Sequence, residues 1–160
     1  TPTISGGFMN TFNYKFIDLS FNLSYSFGGY SYDNASYILQ DDGYSVISNK
    51  STEQRRRWQK PGDITDVPRF VYGNKKGGNY NSSRAIHPTD HIRLKSLILG
   101  LNAPKAWLQK LGIGNARIYF SGTNLLTWAA YGQYDPEMSG VVGFYTPPLK
   151  TYAFGLELKF

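Results

Sequence analysis

The sequence predicts an all-β fold, a segment of an antiparallel transmembrane β-barrel, and three observations predict it. Apolar and polar residues alternate over runs of 10 or 11 residues. The gaps between those runs alternate between short and long. The last run closes on an aromatic residue, Phe160. Strands alternate in this way because successive side chains point to opposite faces of a sheet.

Composition agrees. The 160 residues suit one domain by length. Hydrophobic residues make up 41% of the chain, with 13 Tyr, 10 Phe and 3 Trp, yet no 18 of them run together, so no transmembrane helix is expected. With no cysteine, a disulfide scaffold and a thiolate metal site are excluded. The opening TPTISGGFMN lacks a basic region followed by an apolar one, so it is not a signal peptide and reads as the inside of a longer protein. The net charge is +6. Its densest run, Arg55, Arg56, Arg57 and Lys60, leads directly into Pro61-Gly62. That is a solvated loop, and no nucleic-acid surface is expected.

Each element follows from local pattern. In the first strand, about 3–15, Phe8, Phe12, Tyr14 and then Phe16 share a face on which Asn10 is the exception. In the second, about 17–28, Ile17, Leu19, Phe21, Leu23, Tyr25 and Phe27 alternate with Asp18, Ser20, Asn22, Ser24 and Ser26. The apolar parity switches between Phe16 and Ile17, which places a tight turn near Tyr14 to Ile17. From 29 to about 90 no periodicity persists. This is a long loop with room for short structure at Tyr37–Leu39 or Arg69–Tyr72. The third strand, about 91–101, alternates imperfectly: Ile92, Leu94 and Ile98 have one parity, Leu97, Leu99 and Leu101 the other, as a bulge would cause. In Ala103 to Gly112, Pro104 suits a first helical turn and Gly112 a C-terminal cap. Trp107, Leu108 and Leu111 have helical spacing, so one short helix is expected. The fourth strand runs about 115–127, a second loop about 129–149, and the fifth strand about 150–160.

A soluble sheet with one face on a core would alternate in the same manner. Length favours the membrane. Eleven residues at ~3.3 Å each, tilted ~45°, rise about 25 Å, the height of a barrel's lipid-facing band. The gap order favours it too, since outer-membrane barrels have short periplasmic turns and long outside loops. The helix then lies on the periplasmic side. The lipid-facing residues are expected to be Ile17, Leu19, Phe21, Leu23, Tyr25 and Phe27, with Tyr152, Phe154, Leu156, Leu158 and Phe160. The last strand resembles those that finish bacterial outer-membrane barrels, which implies that Phe160 belongs to an assembly signal.

Four stretches carry a more specific resemblance: RRRWQKPGDITDVPRF (Arg55–Phe70), DHIRLKSLILGLNAPKAWLQKLGIGNARIYFSGTNLLTW (Asp90–Trp128), YGQYDPEMSG (Tyr131–Gly140) and the terminal strand. Together they resemble the C-terminal part of a SusC/RagA-type TonB-dependent outer-membrane transporter of the Bacteroidetes. The resemblance implies the last five strands of a 22-stranded plugged barrel, multi-pass in the bacterial outer membrane. The plug domain and the TonB-contacting segment would be absent from this stretch. The implied partners are the remainder of the barrel with its plug, a SusD-like surface lipoprotein, TonB acting through the missing N-terminal part, the lipid bilayer, and an oligomeric nutrient, glycan or peptide. Five strands cannot close, so the outermost two must pair with strands from elsewhere in that barrel.

No catalytic constellation, cofactor motif or metal set is visible, and no enzyme is expected. Pro88 separates His87 from His91 and no helix carries them. Asp41-Asp42-Gly43 lacks the ligand series of a calcium loop. Asp63 and Asp66 flank Arg69, which suggests an ion pair fixing a loop. Tyr134, Asp135, Pro136 and Glu137 form a turn whose first role is to order its loop, with lumen or partner contact second. Trp58 suits packing on a partner or stacking on a sugar. Trp107 and Trp128 suit interfacial aromatic belts. Two other readings remain at this stage: an all-β carbohydrate-binding module, soluble or surface-exposed, and a barrel enzyme.

Overall fold

The computed structural model describes residues 1–74, 82–109 and 112–160. Lys75, Lys76, Gly77, Gly78 and Leu111 lie outside the described residues. In chain order the elements are β1 (Ile4–Tyr14), β2 (Ile17–Phe27), β3 (Tyr30–Asp33), α1 (Asn34–Leu39), β4 (Ile86–Pro88), β5 (His91–Asn102), α2 (Lys105–Leu108), β6 (Asn115–Ala129), β7 (Gly140–Val142) and β8 (Thr151–Lys159). Short 3₁₀ turns stand at Thr52–Arg56 and Ser83–Ala85. The chain divides into two units, one of residues 1–29, 89–137 and 146–160, the other of residues 30–88 and 138–145.

The first unit is a five-stranded sheet in the order β1-β2-β5-β6-β8, antiparallel throughout. Only Lys15 and Phe16 separate β1 from β2, and Lys15 takes φ 53° to make the reversal. The register follows the apolar parity, because a one-residue slip would turn every side chain to the wrong face. One row across the sheet reads Phe12, Leu19, Leu99, Phe120, Phe154. Phe21 sits opposite Asn10 and meets Phe8 and Phe12 diagonally, ring centroids 6.0 and 6.2 Å away. Phe120 meets Phe154 at 5.2 Å. Such cross-strand pairs are the unit of sheet stability.

The imperfect alternation of β5 has a definite cause. Lys95 pairs with neither neighbour; Leu94 and Ser96 pair across it to β2 and β6. The extra residue resets the parity, so Leu97, Leu99 and Leu101 rejoin the face of Ile92 and Leu94. Ile98 falls on the opposite face, between Ser20 and Ser121. β6 answers the bulge with Asn124 and Leu125, both outside the ladder, Asn124 at φ 52°.

Among the described residues of this unit, nothing forms a second layer on the sheet. The buried hydrophobic residues among those described are Val67, Ala85, Leu108 and Val142, and none lies in its five strands. Its apolar face is open: Ile4, Phe8, Phe12, Leu99, Ile118, Phe154 and Leu156 are all exposed, Phe154 by 81%.

The second unit contains more structure than its sequence suggests. β3 pairs antiparallel with β4 and parallel with β7. Asp33 caps α1 by accepting the Ser36 N–H at 2.9 Å. Strands of 3 or 4 residues are too short to display a period, which is why residues 29–90 read as loop. Tyr37–Leu39 lies within α1, while Arg69–Tyr72 forms no strand or helix.

Buried ions organise this unit. Asp41 accepts the backbone N–H groups of Gly43 and Ser45 and pairs with Lys50 at 2.6 Å. Asp42, its side chain fully buried, pairs with Arg84 at 2.8 Å and accepts the Gln54 amide at 3.0 Å. Burial alone would raise the Asp41 carboxyl, but the Lys50 hydrogen bond and the two backbone N–H groups together hold it below its ordinary value.

Two expectations follow, both measured by amide exchange over residues 40–57 of the complete protein. Asp41 contributes stability above its unfolded value, near 3.8, that is lost as pH falls through the lower folded value. Protection should therefore hold at pH 6 and drop only below about pH 4. Arg84→Met strands Asp42 and should cost about 3–5 kcal/mol locally. Unchanged protection in that variant would mean that another cation compensates Asp42.

Candidate functional site, the polar face of the sheet

The face opposite the aromatic rows carries the charges. Arg93 stands on β5 between Ser24 and Thr127, its side chain 3% exposed. Its Nε donates to Thr127 Oγ1 at 3.1 Å, and its Nη2 to both oxygens of Asp135 at 2.8 and 2.7 Å. Its Nη1 donates to Glu137 Oε2 at 2.8 Å. Lys95 reaches the same Glu137 oxygen at 2.6 Å. His91 approaches the Thr89 carbonyl with Nδ1 at 2.8 Å and has Nε2 3.8 Å from Glu137 Oε1.

The local reasons are simple. Arg93 and Lys95 are two apart in a strand, so both leave from the polar face, and the bulge at Lys95 restores the apolar parity beyond them. Asp135 folds its own turn by accepting the Glu137 N–H at 2.9 Å, as an Asx turn does. The two carboxylates then present themselves to a planar, five-donor guanidinium, which matches them better than an ammonium could. Tyr131 and Tyr134 pack at 5.2 Å in the same loop. The arrangement ties residues 131–137 down onto the sheet.

A second cluster stands nearer the β1–β2 turn. Arg117 pairs with Asp18 at 2.6 Å and with Glu157 at 3.3 Å, and Asn102 donates to Asp18 at 2.8 Å. Asp18 pairs across to Gly100, and a side chain at 100 would run into that carboxylate. Likewise the Tyr119 ring lies over Gly155, with the Arg117 guanidinium 5.2 Å from its centroid. Glycine is needed at both places for space.

The residues singled out from sequence fall in several places. Asp135 and Glu137 join the Arg93 cluster. Asp63 accepts the N–H groups of Gln59 and Lys60 at 2.9 and 3.0 Å, and Asp66 lies 3.7 Å from Arg56. Among the described residues neither reaches Arg69, so the loop is fixed by backbone acceptance and not by that ion pair. Trp58 is half-buried and donates its backbone N–H to the Val67 carbonyl at 2.9 Å. Phe160 is 88% exposed. Among the described residues no three His, Asp or Glu side chains converge as a metal set would. Sequence reasoning passed over Arg93, Lys95, Asp18 and Arg117. A charge at the polar parity of a long strand was the signal available, but it does not name a partner.

TonB-dependent receptor P3 of Formosa agariphila is 31% identical over 173 aligned positions that take in this whole chain. The RagAB peptide importer in its closed-closed state matches the whole chain at 29% identity and a TM-score of 0.83. The chain belongs to the SusC/RagA-type TonB-dependent receptors. TonB-dependent receptor P26 of the same organism is 33% identical over 86% of the chain, and a second RagAB structure, of the peptide transporter, gives 28% and 0.83. No family model matches. The chain spans only about a sixth of these receptors, 16% and 14% of the two Formosa proteins and 17% of the closed-closed RagAB chain.

In the complete receptor, Arg93→Ala leaves the buried Asp135 carboxylate without its cation and Glu137 with Lys95 alone. The expected cost is about 3–5 kcal/mol, confined to the loop. Amide exchange at 131–137 should speed up while β5 and β6 stay protected. Arg93→Lys, which keeps charge but not the fork, should fall between. Equal exchange in all three proteins would show that the loop is held by something else.

Proposed function

We propose that this chain is five neighbouring strands of the barrel wall of an outer-membrane importer, with the apolar face to lipid and the polar face to the lumen. One observation carries the reading: the sheet is a single layer whose exposed face is aromatic and aliphatic while its other face holds ion pairs. In water that exposed surface would be a liability, since contiguous apolar patches mark a covering surface. In a barrel the covering surface is hydrocarbon. The lipid-facing set is Ile17, Leu19, Phe21, Leu23, Tyr25, Phe27, Tyr152, Phe154, Leu156, Leu158 and Phe160, the last also serving assembly.

The outer edges of β1 and β8 find no partner within the chain's own sheet. In hydrocarbon their N–H and C=O groups must be paired, so the reading assigns them to further strands of a closed barrel of 22. Residues about 29–90 and 129–149 then form outside loops, and α2 lies in the periplasm. The complete protein imports oligomeric nutrient, peptide or glycan, driven through TonB and a plug, and is an importer rather than an enzyme. A SusD-like lipoprotein is its outside partner, and Trp58, Asp63, Asp66, Arg69 and Tyr134 are candidates to meet it or the cargo. RagAB, at TM-score 0.83, is described as a peptide importer, which favours peptide as the first cargo to try.

The two faces can be tested at adjacent residues. Phe154→Arg puts a charge towards lipid and should cost about 2–4 kcal/mol if near the midplane. Ala153→Arg puts it on the face of Ser121 and should cost under ~1 kcal/mol. Denaturant unfolding of the complete receptor in phosphocholine vesicles reads both. Equal losses would reject the assignment of faces.

A further inference from the structure

Asp135 and Glu137 both meet Arg93, but they are held differently. Asp135 is 6% exposed, takes both of its bonds from Nη2 and closes its own turn by accepting the Glu137 N–H. It anchors the loop. Glu137 is 30% exposed, and two cations share it. Arg93 Nη1 lies 2.8 Å from its Oε2, while Lys95 Nζ lies 2.6 Å from Oε2 and 2.5 Å from Oε1. Glu137 is also the last residue of the sheet's unit before the chain enters the other, so its release loosens that exit.

Two cations converging on one part-exposed carboxylate make a carboxylate-binding site with the chain's own Glu137 in it. Arg93 stays aimed without Glu137, because Nε is fixed on Thr127 and Nη2 on Asp135. Lys95 is 35% exposed and reaches the site from the bulge in β5, a device that often re-aims a side chain beside a functional site. With Glu137 withdrawn, Arg93, Lys95 and Asp135 leave one positive charge. That suits a monoanion with the planar shape of a carboxylate, which a guanidinium donor matches well.

We propose that this is a binding site for a carboxylate of the cargo, closed at rest by Glu137. The C-terminus of a peptide takes the place of Glu137 on Arg93 Nη1 and Lys95 Nζ, and the loop is released at its Glu137 end. The proposal rests on the reading that the polar face lines the lumen of an importer, and it goes further by naming the chemical group of the cargo that is recognised. A neutral glycan offers no such group. The magnitudes allow the exchange: a group tethered through a short loop competes at an effective concentration in the mM range, which a carboxylate can match once the rest of the peptide adds its own contacts.

The test uses the complete receptor with N-acetyl tetraalanine as the free acid or as the C-terminal amide, at matched ionic strength and at ~10 mM, above the effective concentration of a tethered group. Amide exchange over residues 131–137 should speed up at least threefold with the acid and stay unchanged with the amide. Lys95→Gln, which leaves Asp135 on Arg93, should lose that response. In Glu137→Gln, whose site has no internal competitor, the acid should shield Lys95 from amine acylation at a concentration about fivefold lower than in wild type. Unchanged heat-modifiable migration is the check on folding in both variants. Equal effects of acid and amide would overturn the site. So would an acid that neither releases the loop in wild type nor shields Lys95 in Glu137→Gln. Shielding in Glu137→Gln without release in wild type would overturn the exchange, since Glu137 would then never yield. Uptake of both peptides by cells carrying the receptor, with no difference between them at 131–137, would overturn the site and keep the importer reading.

Discussion

A sheet one layer thick cannot bury its own apolar side chains. Five strands here are bonded edge to edge, so except along the outer edges of β1 and β8 their backbone demands are met inside the sheet. Their side chains are not served in the same way. One face holds rows such as Phe12, Leu19, Leu99, Phe120 and Phe154, with nothing from the described residues of this unit laid over them. The hydrophobic effect acts on area removed from water, and this chain removes little of that area by itself. Stability must therefore come from what covers that face and from what pairs the open edges.

The same constraint shapes the polar face. A charged side chain there has water or another charge to meet. Arg93 and Lys95 use this freedom to hold a loop about 40 residues away in sequence, and Arg117 gathers Asp18 and Glu157 across three strands. Bulging at Lys95 lets the two functions coexist. It places both cations on the polar face and then returns Leu97, Leu99 and Leu101 to the apolar one. Were the strand regular through Lys95, one set or the other would be on the wrong side.

The smaller unit solves a different problem. Among its described residues the buried hydrophobics are Val67, Ala85 and Val142, little core to define an arrangement. Paired ions and capped turns define it instead: Asp41 with Lys50, Asp42 with Arg84, Asp33 on α1. Buried pairs of this kind add modest net stability, but breaking one is costly. They suit a segment that must hold one arrangement while remaining largely wet.

The sequence by itself determined the long strands, the alternation of their faces and a tight turn near Tyr14 to Ile17. Those properties are written in a two-residue period that each strand carries within itself. Even the bulge left a local trace, in the changed parity of Ile92 and Leu94 against Leu97. The short strands β3, β4 and β7 left none, since 3 or 4 residues cannot establish a period. Only the tertiary structure decided which charges meet. Asp135 and Glu137 were legible as a turn, but Arg93 as their partner was not, and neither was Arg117 for Asp18, 99 residues apart. It likewise decided that Asp66 meets Arg56 and not Arg69. The reason is physical: alternation is a property of one strand, whereas an ion pair depends on the register between strands, which exists only once the sheet has formed.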